Sequence, residues 1–296
     1  MEILYDFLPT PSGMGYHYTN SEALMNILIE DKLRATHIGF MNDANEYWYF
    51  LNLAIEHVKK LNRKYPQKLY TAILNFEDSC VRKQISNRSI PPFYVISFTE
   101  ASDSVSFLDR YGSFSLGINF LNKDDSTSQA ETEISRDPFY LRSKVIYNTK
   151  EQTEIIDKIL QDVDSLTHVE LDKKYTTSKQ INTDIMSDEE YRASKFMNTL
   201  ASISCFFKRD SYQDEREIRL VAYDFGTANK KFYARKNAII PYVELDVSKY
   251  FGQWDQILIG NTEYLGDQKE VIECWLKQLR PELKIAIKYS NSGLRK

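Results

Sequence analysis

The sequence predicts an α+β protein with helical insertions. Short runs with alternating apolar residues, typical of strands, are spread over the whole chain. Stretches with apolar residues three or four positions apart, typical of amphipathic helices, interrupt them without a regular strand–helix–strand order. No internal repeat and no linker rich in glycine, serine or proline divides the 296 residues. We therefore predict a single domain over 1–296.

Composition narrows the class of protein. Hydrophobic residues are 42% and charged residues 27%, as in ordinary globular proteins, and the net charge of -4 argues against broad, non-specific binding of nucleic acid. The 3 cysteines contain no CxxC pair and the 4 histidines have no metal-ligand spacing, so no disulfide framework and no metal are expected. The N-terminus lacks a signal-peptide pattern, and no apolar run is long enough to span a membrane. These features predict a cytoplasmic protein without a membrane partner.

An aromatic run opens the predicted core. YHYT at 16–19 favours a strand, and Ser21 is a candidate N-cap for the helix that follows. KLRATHI at 32–38 predicts a second strand. The polar segment FMNDANE then leads into a helix that Asn42 or Asp43 is expected to cap. The apolar stripe of that helix is spaced for one helical face: Tyr47, Phe50, Leu51, Ala54, Ile55 and Val58.

Two stretches are predicted to be helical insertions, 44–88 and 149–204. The first contains the striped helix and a second helix that begins at Pro66. In the second stretch, 166–187 has little apolar periodicity and is predicted to be a flexible crossover between two helices. A polar stretch rich in serine and threonine, at 122–135, is predicted to be an exposed loop.

The clearest strand is FYVISFT at 93–99. Its alternation predicts two faces, one with Tyr94, Ile96 and Phe98 and the other with Val95, Ser97 and Thr99. A loop or a short helix is expected at 102–111. The remaining strands are predicted at 112–120, 139–147, 231–234, 238–247, 256–260 and 284–289, with a helix at 265–279.

The stretch RDSYQDEREIRLVAY at 209–223 combines carboxylates with a strand pattern. From Glu215 onward the residues alternate, so Glu215, Glu217 and Arg219 are expected on one strand face. The two carboxylates would lie about 7 Å apart, and their repulsion predicts a cation such as Arg219 beside them. Two interpretations follow: a solvated strand face with balanced charge, or a pair of active-site carboxylates.

Several motifs occur in a fixed order along the chain: YHYT, FMNDANE, SFTE, RYGSFSLGINF, FFKRDSYQDEREIRLV, ILIG and a terminal SGLR. Together they resemble a large, mostly bacterial family catalogued as domain-of-unknown-function family 2971. The resemblance covers the chain from about residue 16 to residue 295. It implies no activity by itself.

A more distant resemblance implies a function. The layout is similar to the ADP-ribosyltransferase superfamily, whose NAD-binding core consists of two small, mainly antiparallel sheets. Those enzymes place an arginine or histidine on the first strand, a Ser-x-Ser or tyrosine motif on a middle strand, and often Glu/Gln-x-Glu on a late strand. The matching positions here are His17, Ser97-Phe98-Thr99 and Glu215-Arg216-Glu217. The histidine resembles one branch of the superfamily, whereas the other two motifs resemble another.

This resemblance implies that NAD is the substrate and that ADP-ribose passes to a protein, a nucleic acid or water. It makes Glu217 the carboxylate beside the reacting ribose and Glu215 its support. It also suggests a bacterial anti-phage or toxin-type effector. The residues expected to bind NAD are His17, Ser97 and Thr99 at the riboses, Tyr18 or Tyr111 at nicotinamide, and Arg34, Arg219 and Arg295 at the pyrophosphate.

Two other interpretations remain open. Asp43, Glu46, Glu215 and Glu217 could together hold Mg²⁺ in a metal-dependent nuclease, because clustered carboxylates are its usual protein ligands. The same pocket could instead serve a non-enzymatic ligand-sensing or interaction module, with the helices at 44–88 as the partner surface. Asp43 and Glu46 also suit the N-terminus of a helix, where acidic side chains are favoured.

Overall fold

Ten strands form one open sheet in the computed structural model, which describes residues 7–41, 46–61, 66–76, 93–120, 139–175, 186–223, 230–235, 237–260 and 267–291. The strands are β1 (Met14–Thr19), β2 (Lys32–His37), β3 (Phe93–Thr99), β4 (Phe114–Asn119), β5 (Phe139–Lys144), β6 (Glu217–Tyr223), β7 (Lys231–Arg235), β8 (Ala238–Asp246), β9 (Trp254–Ile259) and β10 (Ala286–Tyr289). The α-helices are α1 (Ser21–Glu30), α2 (Glu46–Lys60), α3 (Gln67–Phe76), α4 (Val105–Tyr111), α5 (Thr149–Ser165), α6 (His168–Lys174), α7 (Asp188–Ile203), α8 (Val247–Tyr250) and α9 (Gln268–Leu279).

The sheet is mostly antiparallel, and β3 is its hub. The strand order is β10-β9-β4-β1-β3-β2-β8-β7, with β6 also paired to β3 and β5 to β6. Only β9 and β10 pair in parallel among these strands. The resemblance implied a core of two small, mainly antiparallel sheets. The number of sheets is corrected to one, because β1 pairs with β3 through Tyr16 opposite Thr99. The described strands therefore lie in one sheet whose two halves meet at that pair.

Two strands share one edge of β3 and diverge from it. Along the other edge, β6 pairs with β3 over its full length. On the shared edge, β2 pairs only with Tyr94 and Val95, whereas β1 pairs with Thr99. A strand rises about 3.3 Å per residue, so β1 and β2 leave β3 at points about 13 Å apart. We call the opening between β1 and β2 the fork.

Two hydrophobic cores lie on opposite faces of the sheet. The predicted alternation of β3 is confirmed: Tyr94, Ile96 and Phe98 belong to a core with apolar residues of α1 and α9. Val95 belongs to a second core, which α2, α5 and α7 cover. In that second core Phe50 and Phe207 stack with ring centroids 3.6 Å apart. All residues of β6 are buried, so the interpretation of a solvated strand face is wrong.

Helices form where the apolar spacing predicted them, with differences at their ends. The six predicted stripe residues of α2 are all buried. Asn20, not Ser21, caps α1, because its side chain accepts a hydrogen bond from the backbone N–H of Ala23. The predicted crossover contains α6, which begins with a capping box of Thr167 and Glu170. The periodicity missed α6 because two turns are too short to show a repeat.

Some predictions fall on residues outside the described ranges. These are the caps at Asn42 and Asp43, the loop at 122–135, the continuation of the second helix beyond residue 76, and the phosphate ligand Arg295. None of the helices within the described ranges is long and apolar enough to cross a membrane.

Candidate functional site

The fork opens into a cavity of about 310 Å³, at the lower end of the range for small-molecule sites. His17 of β1, Ser97 of β3 and Glu217 of β6 all line it. The other described residues that were predicted for the site also line it: Tyr18, Arg34, Glu46, Thr99, Tyr111, Glu215 and Arg219. Residues as far apart in the chain as His17 and Arg219 therefore surround one space.

The strand register explains how the polar side chains converge. Thr99 lies opposite Glu217, and Ser97 lies opposite Arg219. Tyr16 of β1 is the other neighbour of Thr99. Because directly paired residues of neighbouring strands point to the same face, these side chains share the face that carries the second core. The cavity interrupts that core at the fork.

Three carboxylates meet at one ammonium group on the floor of the cavity. The Nζ of Lys208 lies 2.7 Å from Glu217 Oε2, 2.6 Å from Glu215 Oε2 and 3.1 Å from Glu46 Oε1. With Arg219 these residues form what we call the charged floor. Three carboxylates and two cations sum formally to one negative charge. Lys208 occupies the point between the carboxylates, where an external cation would otherwise bind.

Arg219 is the buried centre of this network, with a side-chain exposure of 0%. Its Nε donates to Glu217 Oε1 at 2.8 Å and its Nη2 to Glu46 Oε1 at 2.5 Å. Nη1 donates to the backbone carbonyl of Cys205 at 2.5 Å. The expected partnership between Arg219 and Glu217 is confirmed. The expected role of Arg219 as a phosphate ligand does not fit this geometry, because its donors already serve carboxylates and a carbonyl away from solvent.

Glu215 does not lie on the strand, which corrects the predicted alternation. It is the last residue of a 3₁₀ helix, Asp210–Glu215, and β6 begins two residues later at Glu217. Between them Arg216 adopts the left-handed conformation, with φ 40° and ψ 50°, which costs roughly 1–2 kcal/mol for a residue with a side chain. This kink turns both carboxylates to the same ammonium. The alternation assumed an extended chain, and so it missed the turn.

The charges of the floor keep Glu217 ionised. Burial alone would raise the pKa of Glu217, but the nearby Arg219 and Lys208 lower that pKa to about 2. Burial alone would likewise lower the pKa of Lys208, but Glu217 and Glu46 raise it above its ordinary value. The carboxylate and the ammonium therefore stabilise each other in the charged state.

Acid is expected to weaken the fold through Glu217. Its pKa is lower in the folded state than its ordinary value of 4.5, so the stabilisation is present above that value and is lost as the pH falls towards 2. The loss amounts to about 3 kcal/mol between about pH 5 and pH 2. Urea unfolding across this range measures it. Glu217→Gln should flatten this dependence, and an equally steep dependence in the variant would contradict the assignment.

Ser97 and Thr99 differ in what their hydroxyls do. Thr99 Oγ1 donates to the backbone carbonyl of Glu215 at 2.6 Å and accepts from the backbone N–H of Ala101 at 3.0 Å, so it holds the turn beside the floor. Ser97 Oγ is buried and has no hydrogen-bond partner in the described part of the chain. A buried hydroxyl without a partner is costly, and this one lines the cavity.

His17 and Tyr18 make contacts that support the walls. The Nδ1 of His17 lies 3.0 Å from the backbone carbonyl of Ser97, on the β3 edge that the fork leaves open. Its ring contacts Phe98 at a centroid distance of 5.7 Å, and burial lowers the pKa of His17, which favours its neutral form. The Tyr18 hydroxyl donates to the carbonyl of Ala101 at 2.8 Å and accepts from the N–H of Ser104 at 2.9 Å. Both residues hold the fork in shape as well as lining it.

No family model, curated protein or solved structure matches this chain. Membership of the family that the motifs resemble therefore stays a prediction.

Two charged residues of the cavity lining, Lys208 and Arg110, were not predicted from the sequence. Lys208 follows the buried run CFF, and no local pattern distinguishes it from a surface lysine. Arg110 belongs to the segment 102–111, which was predicted only as a loop or short helix, and α4 places it at the cavity. The RYG motif that carries Arg110 was the one signal that could have identified it.

Proposed function

We propose that this protein binds NAD in the cavity at the fork and breaks the bond between nicotinamide and ribose. ADP-ribose then passes to a macromolecular acceptor or to water. The observation that carries the proposal is that His17, Ser97 and Glu217, which the resemblance to ADP-ribosyltransferases names for the site, line one cavity. A role in anti-phage defence or as a toxin-type effector belongs to the same proposal and rests on analogy.

The charged floor suits this chemistry. Cleavage of the bond gives the ribose an oxocarbenium character, so a fixed negative charge beside it lowers the barrier. Glu217 is ionised, and the floor as a whole carries one formal negative charge. Aromatic side chains suited to stacking on the positively charged nicotinamide ring of NAD line the same space: Tyr16, Tyr18, Phe107, Tyr111 and Tyr212.

Ser97 supplies a donor with no competing partner. Its buried hydroxyl can donate to a ribose oxygen or to the nicotinamide amide, and either bond would remove the cost of leaving it unpaired. Glu215 is the most exposed of the three carboxylates in the charged floor, with 21% of its side chain exposed. Its position at the edge of the floor suits an acceptor group that approaches from solvent.

The nuclease interpretation fits the geometry less well than the proposed function. A metal-dependent nuclease would place its ion among Glu46, Glu215 and Glu217, where the Lys208 ammonium lies; Asp43 is outside the described residues. In the described ranges no group of three or more candidate ligands is arranged to hold a metal ion. A ligand-sensing module would use the same cavity without turnover.

The proposal is tested by following nicotinamide release from labelled NAD, with and without cell extract. We expect release by the unaltered protein and a decrease of about 10-fold in Ser97→Ala, from loss of one hydrogen bond. Ser115→Ala is the matched control, because Ser115 Oγ is also buried without a partner in the described chain but does not line the cavity. Its activity should be unchanged.

Three outcomes separate the alternatives. Absence of nicotinamide release under both conditions contradicts the proposal. Tight NAD binding without turnover favours a sensor. Cutting of DNA or RNA that requires a divalent metal, and that Glu217→Gln abolishes, favours the nuclease.

A further inference from the structure

Two arginines lie at the exposed side of the cavity. Arg34 belongs to β2 and Arg110 to α4, and both line the cavity with exposed side chains. Within the described ranges neither guanidinium forms an ion pair with a carboxylate. They differ in this from Arg219, which is paired with Glu217 and Glu46. The cavity therefore has positive charge at its mouth and a net negative charge at its floor.

Each of the two guanidiniums rests on a tyrosine ring. The guanidinium carbon of Arg34 lies 5.1 Å from the ring centroid of Tyr242, and that of Arg110 lies 5.5 Å from the ring centroid of Tyr111. Stacking restrains the plane of a guanidinium while its N–H groups, which lie at the edge of that plane, stay available. Both side chains are thus partly oriented before any ligand binds.

The two arginines come from the two sides of the fork. Arg34 lies on β2, which forms one side. Helix α4 packs on β1, the other side, through an edge contact between Phe107 and Tyr18 with centroids 5.3 Å apart. β1 and β2 leave β3 about 13 Å apart, and the cavity of about 310 Å³ lies in this opening. Two partly oriented guanidiniums suit a diphosphate, which offers several anionic oxygens on neighbouring phosphorus atoms.

We propose that Arg34 and Arg110 form a diphosphate clamp at the mouth of the cavity, and that the ligand is a nucleoside diphosphate or its ribose conjugate. The choice of ADP-ribose as probe rests on the proposed function, but the clamp acts in binding alone. The clamp holds the anionic part of the ligand outside the charged floor, which would repel it. The cationic or uncharged end of the ligand then faces Glu217.

Calorimetric titration with ADP-ribose, ADP and adenosine tests the clamp. We expect Arg34→Gln and Arg110→Gln each to weaken ADP-ribose and ADP binding about 10-fold, from loss of charge-assisted hydrogen bonds. Adenosine, which has no phosphate, should bind equally to all forms. Higher salt should weaken ADP binding by the unaltered protein more than by the variants. The control is Arg209→Gln, because Arg209 also lies over a tyrosine ring, that of Tyr49 at 5.3 Å, but does not line the cavity.

The result distinguishes failure of the clamp from failure of the proposed function. Arginine-dependent ADP-ribose binding without nicotinamide release supports the clamp and contradicts the enzyme. Release of nicotinamide with the same KM for NAD in both arginine variants contradicts only the clamp. Equal ADP-ribose affinity in all forms, or no binding of ADP-ribose or ADP, overturns the clamp. Because both arginines are exposed, thermal unfolding of each variant should match the unaltered protein.

Discussion

Replacing Arg219 with methionine is expected to lower the free energy of unfolding by about 3–5 kcal/mol. The guanidinium is fully buried and holds Glu217, Glu46 and the Cys205 carbonyl. Without it, two buried carboxylates depend on Lys208 alone, and the carbonyl of Cys205 loses its donor. Methionine fills much of the same volume, so the loss reports charge and hydrogen bonding more than packing. Urea unfolding at pH 7 measures it.

The matched control for this change is Lys150→Met. Lys150 pairs with Glu154 at 3.7 Å, but their side chains are 85% and 65% exposed, and an exposed pair contributes only about 0–1 kcal/mol. A double variant, Arg219→Met with Glu217→Met, should be more stable than Arg219→Met alone, because it removes a buried charge that the single change leaves without its main partner. Equal losses for Arg219→Met and Lys150→Met would contradict the buried network.

Glu217→Gln is expected to reduce nicotinamide release about 100- to 1000-fold. Glutamine keeps the size of the side chain and one acceptor oxygen but loses the charge that stabilises the positive ribose. The loss should appear in kcat, because an oxocarbenium charge develops only in the transition state. ADP-ribose affinity should change little, since its diphosphate binds at the mouth. Steady-state assays with labelled NAD measure both parameters.

Two controls distinguish a loss of catalysis in Glu217→Gln from a loss of folding. Asp214→Asn removes an exposed carboxylate from the same 3₁₀ helix that ends at Glu215, and its activity should be unchanged because Asp214 does not line the cavity. Near-ultraviolet circular dichroism should show that Glu217→Gln is folded at the assay temperature. A folded Glu217→Gln variant with full activity would remove Glu217 from the mechanism.

Local pattern was a good guide wherever a residue's neighbours in sequence decided its structure. The strand Phe93–Thr99 has the bounds that its alternation predicted, and α2 buries its predicted stripe. Both signals depend on a regular backbone repeat, which a run of side chains displays directly. The pattern was wrong at Glu215, where a single left-handed residue, Arg216, ends the repeat. Glycine is the usual residue in the left-handed conformation, so an arginine at this position does not indicate a turn.

The sequence by itself determined the mixed α+β class, most of the strands and helices, and the chemical types of the residues named for the site. Only the tertiary structure decided which charged groups those residues contact. The sequence allowed Arg219 to be a phosphate ligand. In the folded protein Arg219 is buried against Glu46, which lies 173 positions earlier in the chain. Lys208 carried no local signal and Arg110 only that of its RYG motif, because their roles depend on groups from distant segments. Pairing along β3 creates the fork, and such long-range pairing is invisible in a local run of residues.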